Sequence, residues 1–324
     1  MKVFITIDTE EDDWGSYRTG DFSLENITRL PWLQGIFDRY RAKPTYLISY
    51  PVAAGPVSQR ILSKLVEDGC CEIGAHCHPW NTPPFEEEIT ERNSMLCNLP
   101  AELVNRKTEV LHETIIDTFG VNSRSFRTGR WGFGENVARA VYRLGYEIDT
   151  SVTPFVDWTE YQGPDFSRTR AEAYRFDPGD VMCRKADGLL LEVPATTGFY
   201  QERTSICSSA RRAILSGPMA RLRLIGLLDK LGLVNFRWLS PELSSGAEMV
   251  RLARTMMKLG SSFLNMSFHS TTLLPGKSPF VRDEADLGRF IANIEEFLQF
   301  AGENGMTFAL LSESPNLSNS AVSA

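Results

Sequence analysis

The sequence predicts an α/β protein, a distorted (β/α) barrel of about seven strands carrying one inserted basic helical segment. Three observations predict it. Short apolar, β-branched runs alternate with stretches of helical period, seven or eight such runs occur, and a single region breaks the alternation. Repeated βα units imply a parallel sheet, and this number of them favours closure over an open, doubly wound sheet.

The first strand is read at residues 3–7, followed by a helix whose apolar stripe is Leu30, Leu33, Ile36, Phe37 and Tyr40. Pro44 ends that helix and residues 46–48 make the second strand. Ile61, Leu62, Leu65 and Val66 mark a helix closed by Gly69, before a third strand at 71–75. A helix over 103–119 stops at Gly120, a strand follows at 123–126, a helix over 135–144 stops at Gly145, and a strand follows at 146–150. Later strands are expected at 189–193, 263–268 and 307–311, the last after an amphipathic helix bearing Leu287, Phe290, Ile291, Ile294, Phe297 and Leu298. Residues 1–313 read as one barrel with an insertion over about 203–245, and the Ser- and Asn-rich residues 314–324 as a disordered tail.

At 42% hydrophobic and 23% charged, the 324 residues are those of a globular chain. The net charge of −7 gives a nucleic-acid partner no global electrostatic support. No window approaches the roughly 18 uninterrupted apolar residues of a spanning helix. A strand-like run begins at Lys2, which leaves no room for a signal peptide, so a cytoplasmic location is expected. The six cysteines form no CxxC pair and read as reduced thiols.

The region that breaks the pattern spans 203–237. There Arg203, Arg211, Arg212, Arg221, Arg223, Lys230 and Arg237 face one acid, Asp229, among Ile214, Leu215, Leu222, Leu224, Ile225, Leu227, Leu228 and Leu231. A basic amphipathic segment can make peripheral contact with the inner face of an anionic membrane or meet an anionic substrate. The plainer expectation is a helical hairpin docked on the barrel with its arginines in water.

In a parallel barrel, reactive groups gather where strands end and βα loops begin. The polar residues at those positions are Asp8 and Glu10, His76 and His78, Arg127, Asp149, Glu192 and His269. Two histidines two apart on an extended segment point to one side, as ligands of one metal must, and imidazole with carboxylate suits Zn²⁺. Two carboxylates near one site allow one to bind metal while the other takes a proton from water, and an arginine such as Arg127 would keep that base ionised. Glu11, Asp12 and Asp13 read as a solvated acidic loop. His269 ends an apolar run and can protonate a leaving group. His112 reads as structural. Trp80, Trp131, Trp158 and Phe199 follow candidate strands and can offer flat apolar faces to a ligand.

Five segments, 6–10 (Thr-Ile-Asp-Thr-Glu), 72–78 (Glu-Ile-Gly-Ala-His-Cys-His), 126–132 (Phe-Arg-Thr-Gly-Arg-Trp-Gly), 146–151 (Tyr-Glu-Ile-Asp-Thr-Ser) and 267–269 (Ser-Phe-His), together resemble the polysaccharide deacetylase family, carbohydrate esterase family 4, in the family's order. The resemblance implies a distorted barrel that removes N- or O-acyl groups from sugars with a divalent metal. It implies Asp8 as base, Glu10, His76 and His78 as metal ligands, Arg127 as the residue holding Asp8, and His269 as general acid. Two spacings depart from the family pattern: Thr9 separates the first two carboxylates, and the second histidine stands at +2 where the family has +4, a position held here by Trp80. Trp80, Trp131, Asp149 and Glu192 are expected to touch substrate. The expected function is a metal-dependent deacetylase acting on a glycan or a nucleotide- or lipid-linked precursor in surface polysaccharide synthesis. Its rivals are a deformylase or cyclic-amide hydrolase of the same fold, and a non-catalytic glycan-binding barrel.

Overall fold

The computed structural model describes residues 1–12, 14–215 and 224–319. Its strands are β1 (Lys2–Thr9), β2 (Pro44–Ile48), β3 (Glu72–Cys77), β4 (Ser125–Thr128), β5 (Ile148–Asp149), β6 (Tyr174–Phe176), β7 (Leu190–Glu192), β8 (Thr197–Phe199), β9 (Phe236–Trp238), β10 (Phe263–His269) and β11 (Thr307–Phe308). Its helices are α1 (Leu30–Tyr40), α2 (Tyr50–Ala54), α3 (Pro56–Glu67), α4 (Ala101–Phe119), α5 (Glu135–Arg143), α6 (Thr204–Leu215), α7 (Leu224–Lys230), α8 (Gly246–Lys258) and α9 (Glu284–Glu303).

Strands β10, β1, β2, β3, β4, β5 and β7 lie side by side in that order, all parallel. The expected seven-stranded distorted barrel is therefore the one observed. β6 adds antiparallel at the β7 edge and β11 pairs with the start of β1. No ladder joins β7 to β10; the ring is completed by single hydrogen bonds. Thr196 N–H donates to the Asn265 carbonyl (3.0 Å), Leu239 N–H to Thr196 (2.8 Å) and Ser267 N–H to Leu239 (3.1 Å).

Alternation along the strands sorts the side chains into two sets. Val3, Ile5 and Ile7 of β1, like Leu264, Met266 and Phe268 of β10, pack outward against helix residues such as Leu33, Phe37, Phe290 and Ile294. Phe4, Ile148, Leu191, Val193 and Phe263 point inward and meet Ala309, Leu311 and Leu317 at the N-terminal end of the strands. Above this apolar floor lies a polar layer. Thr6 Oγ1 donates to Asn265 Oδ1 (3.0 Å), and Asn265 Nδ2 donates to Thr150 Oγ1 (3.0 Å). The third inward layer, at the strand C-termini, carries Asp8, His76 and His269.

Three expectations are corrected here. Residues 314–319 are not a loose tail: they continue a 3₁₀ segment, Leu311–Asn319, whose Ser314 and Leu317 are buried because Leu317 plugs the apolar floor. Residues 320–324 lie outside the described residues. Second, the arginines of the insertion are not all in water. Arg211 Nη1 donates to Phe155 O (2.7 Å), Arg212 Nη1 to Ser167 O (3.1 Å), and Arg237 pairs with Asp229 (2.7 Å) and Glu248 (2.8 Å). Arg221 and Arg223 lie outside the described residues. Third, the insertion is not purely helical, since β8 and β9 form an antiparallel pair that flanks α6 and α7. Among the described residues no helix is long and apolar enough to cross a membrane.

Candidate metal centre and active site

The inward layer at the strand C-termini forms the floor of a cavity of about 440 Å³. Asp8 and His269 are direct neighbours across the β1–β10 ladder, and His76 and Arg127 across β3–β4, so register alone points all four side chains to one place. Arg127 is completely buried and spends its donors on four contacts: Nε on Thr150 O (2.9 Å), Nη1 on Asp8 Oδ1 (2.7 Å), and Nη2 on Thr6 Oγ1 (2.8 Å) and Thr150 Oγ1 (3.1 Å). Burial works to raise the Asp8 pKa, but the Arg127 guanidinium, with His76 and His269 beyond it, outweighs burial and holds the carboxyl below its ordinary value.

Glu10, His76 and His78 are buried with their ligand atoms within 4.8 Å of one another. His78 Nε2 lies 2.7 Å from Glu10 Oε2 and 2.9 Å from His76 Nε2, and His76 Nε2 lies 3.6 Å from the same oxygen. Zinc bonds of about 2.1 Å in tetrahedral array separate ligand atoms by about 3.4 Å, so this donor set fits one divalent ion. Burial at Glu10 is overcome by the two imidazoles, and its pKa falls far below the ordinary carboxylate range. Nδ1 of both rings is buried without a hydrogen-bond partner. Orientation comes instead from packing: Trp80 lies over His78 with ring centroids 4.1 Å apart, and Gly129 backs its other face. A Cβ at Gly129 would stand 1.9 Å from His78 Nδ1, so only glycine permits this approach. The +2 spacing thus brings both histidines to one point.

His269 faces Asp8 from the other side, Nε2 to Oδ2 being 3.7 Å. Its Nδ1 is 3.0 Å from Glu242 Oε2, while its backbone N–H and the Thr272 hydroxyl donate to Glu242 Oε1. Burial would lower the His269 pKa, but the Glu242 carboxylate raises it to about 9. Glu242 sits in the Pro241–Leu243 turn, shortly after β9, a strand the sequence pattern did not mark, and nothing in that pattern singled it out.

Trp80 and Trp131 line the cavity, as does Trp158. The aromatics there form three contact groups. Trp14 meets Phe280 (5.3 Å) and His269 (4.5 Å), with Tyr17 on Trp80 (4.8 Å); Trp238 meets Trp131 (5.9 Å) and Trp158 (6.4 Å). Arg130 and Trp131 both adopt left-handed backbone angles, φ 53° and 60°, uncommon for residues with a Cβ and concentrated at working sites. That turn brings the Trp131 ring 5.0 Å from the Arg127 guanidinium.

Three placements differ from expectation. Asp149 and Glu192 do not line the cavity: they are the outward neighbours of Ile148 and Leu191, paired with each other across β5–β7, and both are fully buried. Burial raises the Asp149 pKa to about 6, and burial with the Asp149 charge raises that of Glu192. Phe199 is buried with Cys207 and Val234 instead of facing a ligand. Glu11 and Asp12 are not solvated. Glu11 accepts from Asn81 Nδ2 (2.9 Å), and Asp12 from the backbone N–H groups of Glu25 (2.8 Å) and Asn26 (3.0 Å), which fastens the loop after β1 over the cavity. Asp13 lies outside the described residues. His112 rests beside Tyr146 (3.3 Å), away from the cavity, as expected of a structural histidine.

Comparison with solved structures places this architecture. A protein assigned as a polysaccharide deacetylase from Mycobacterium smegmatis superposes at a TM-score of 0.56, with 13% identity over 98% of this chain and 90% of that one. The fold is that of a polysaccharide deacetylase. A family 4 carbohydrate esterase from Streptomyces lividans gives 0.45 at 10% identity (97% and 94% covered), and a pseudoenzyme of the same family from Bacillus anthracis 0.45 at 10% (96% and 64% covered). No protein-family model and no curated protein sequence matches the chain.

Proposed function

We propose that this chain is a metal-dependent hydrolase that removes an N-acetyl or related acyl group from a sugar, within a glycan or a nucleotide- or lipid-linked precursor of a surface polysaccharide. The observation that supports it is the arrangement at one barrel mouth: a three-donor cluster shares the cavity with a carboxylate held by arginine and, 3.7 Å from that carboxylate, an imidazole held by a second carboxylate. A divalent ion such as Zn²⁺ on Glu10, His76 and His78 would supply the Lewis acidity that activates water and polarises the acyl carbonyl. Asp8, kept ionised by Arg127, takes the proton from the attacking water at Oδ2, its oxygen not bonded to Arg127. His269, kept protonated by Glu242, gives its proton to the departing amine nitrogen. Trp80 and Trp131 offer apolar faces to the sugar ring or the acetyl methyl.

The test is acetate release from N-acetylglucosamine oligomers by protein loaded with Zn²⁺, with metal content measured alongside. Stoichiometric metal and chelator-sensitive release support the reading. Metal without release against acetylated, formylated and cyclic-amide substrates alike rejects it in favour of a binding barrel.

A further inference from the structure

Among the described residues, the four most exposed large apolar side chains lie in one stretch of the insertion: Leu231 (61%), Ile206 (60%), Leu233 (57%) and Leu227 (54%). They are not scattered. Leu227 and Leu231 are successive turns of one helical face, Leu231 N–H bonding to Leu227 O at 3.0 Å, and Leu233 O lies 3.9 Å from the Sγ of Cys207, the neighbour of Ile206. The opposite side of the insertion anchors the patch, since Ile225 and Leu228 pack on buried Cys207, Val234 and Phe199.

Charge frames the same surface. Exposed Arg203 sits one turn before Cys207 and exposed Lys230 next to Leu231, while the stretch's one acid, Asp229, is neutralised by Arg237. Arg211 and Arg212 are held by backbone carbonyls, and Arg221 and Arg223 lie outside the described residues. A row of aromatic contacts, Phe199–Phe236 (5.4 Å), Phe236–Trp238 (6.4 Å) and Trp238–Trp131 (5.9 Å), leads from beneath the patch to the cavity.

We propose that Ile206, Leu227, Leu231 and Leu233, with Arg203 and Lys230, seat the protein on an anionic lipid bilayer. Aliphatic side chains between basic residues, on a chain of net charge −7, match the acyl boundary and headgroup charge of such a surface. With the proposed deacetylase reading, on which this part rests, the acylated sugar is then carried on a lipid.

The experiment is co-sedimentation of the full chain with vesicles of phosphatidylcholine alone or containing phosphatidylglycerol. Binding is expected only with phosphatidylglycerol, weakened at least about tenfold in L227E/L231E and measurably in K230E. These are exposed positions outside the cavity, so acetate release from a soluble oligomer is expected to stay unchanged. Equal binding to both vesicles, no binding to either, or insensitivity to these changes overturns the inference. So does a dimer in light scattering that L227E/L231E dissociates, since a second copy would then be the occupant. Vesicle binding is read without turnover, so it fails or survives independently of the catalytic reading.

Discussion

Asp8 is shared between two partners: Arg127 Nη1 donates to its Oδ1 at 2.7 Å, and His269 Nε2 stands 3.7 Å from its Oδ2. One oxygen is occupied permanently and the other is left to exchange a proton. Replacing Asp8 with Asn removes the proposed base without touching the three-donor cluster. Turnover should fall by about 10²–10⁴-fold while zinc content by elemental analysis is unchanged; retained turnover would remove Asp8 from the base role.

His269 is protonated up to about pH 9 because of Glu242, so as general acid it supports turnover below that value and loses its proton as pH rises through it. In Glu242→Gln the alkaline limb of the kcat profile should move from near 9 toward the ordinary histidine value of 6.5. A variant that loses activity equally at every pH would show Glu242 to be a prop alone.

At Gly129 the margin is steric. Alanine would drive a methyl into the His78 ring, so the Nε2 of His78 must leave the cluster. Zinc affinity in Gly129→Ala should drop about 10–100-fold in a chelator competition, with the melting temperature nearly kept. Undiminished affinity would mean that His78 is not a ligand.

The Asp149–Glu192 pair bears on stability rather than chemistry. Asp149 holds its proton up to about pH 6 when folded, against an ordinary value of 3.8, so its stabilising contribution is complete in acid and is lost as pH rises through about 6. Glu192, raised well above the ordinary 4.5 by burial and the Asp149 charge, sheds stability with rising pH in the same sense, and Glu192→Gln removes that titration. The loss of urea midpoint between pH 5 and pH 7 should be smaller in the variant than in the parent. An identical loss would exclude the pair as its source.

Strand ends were legible because apolar runs such as 263–268 stop at the residues that matter, and eight polar groups could be read at such ends. The face of each strand was not. In a parallel barrel both faces are buried, so Asp149 and Glu192 carry no periodic mark distinguishing them from Arg127. Register settles it: Asp149 pairs with outward Phe126, whereas Arg127 pairs with inward His76. Glu242 escaped notice because its role depends on how a turn before α8 folds back on β10, a contact across 27 residues with no local pattern. The tail misled by composition, since the Ser and Asn around Leu317 hide a side chain that anchors it.

The pairing of β1 with both β2 and β10 has a consequence for biogenesis. The proposed base and acid lie far apart along the polypeptide, yet they are neighbours in register across β1 and β10. During synthesis the proposed cation donors, Glu10, His76 and His78, emerge long before the proposed proton donor, His269. A nascent chain halted between β3 and β10 would therefore carry the three proposed cation donors without the proposed proton donor, and the set is complete only once β10 pairs with β1.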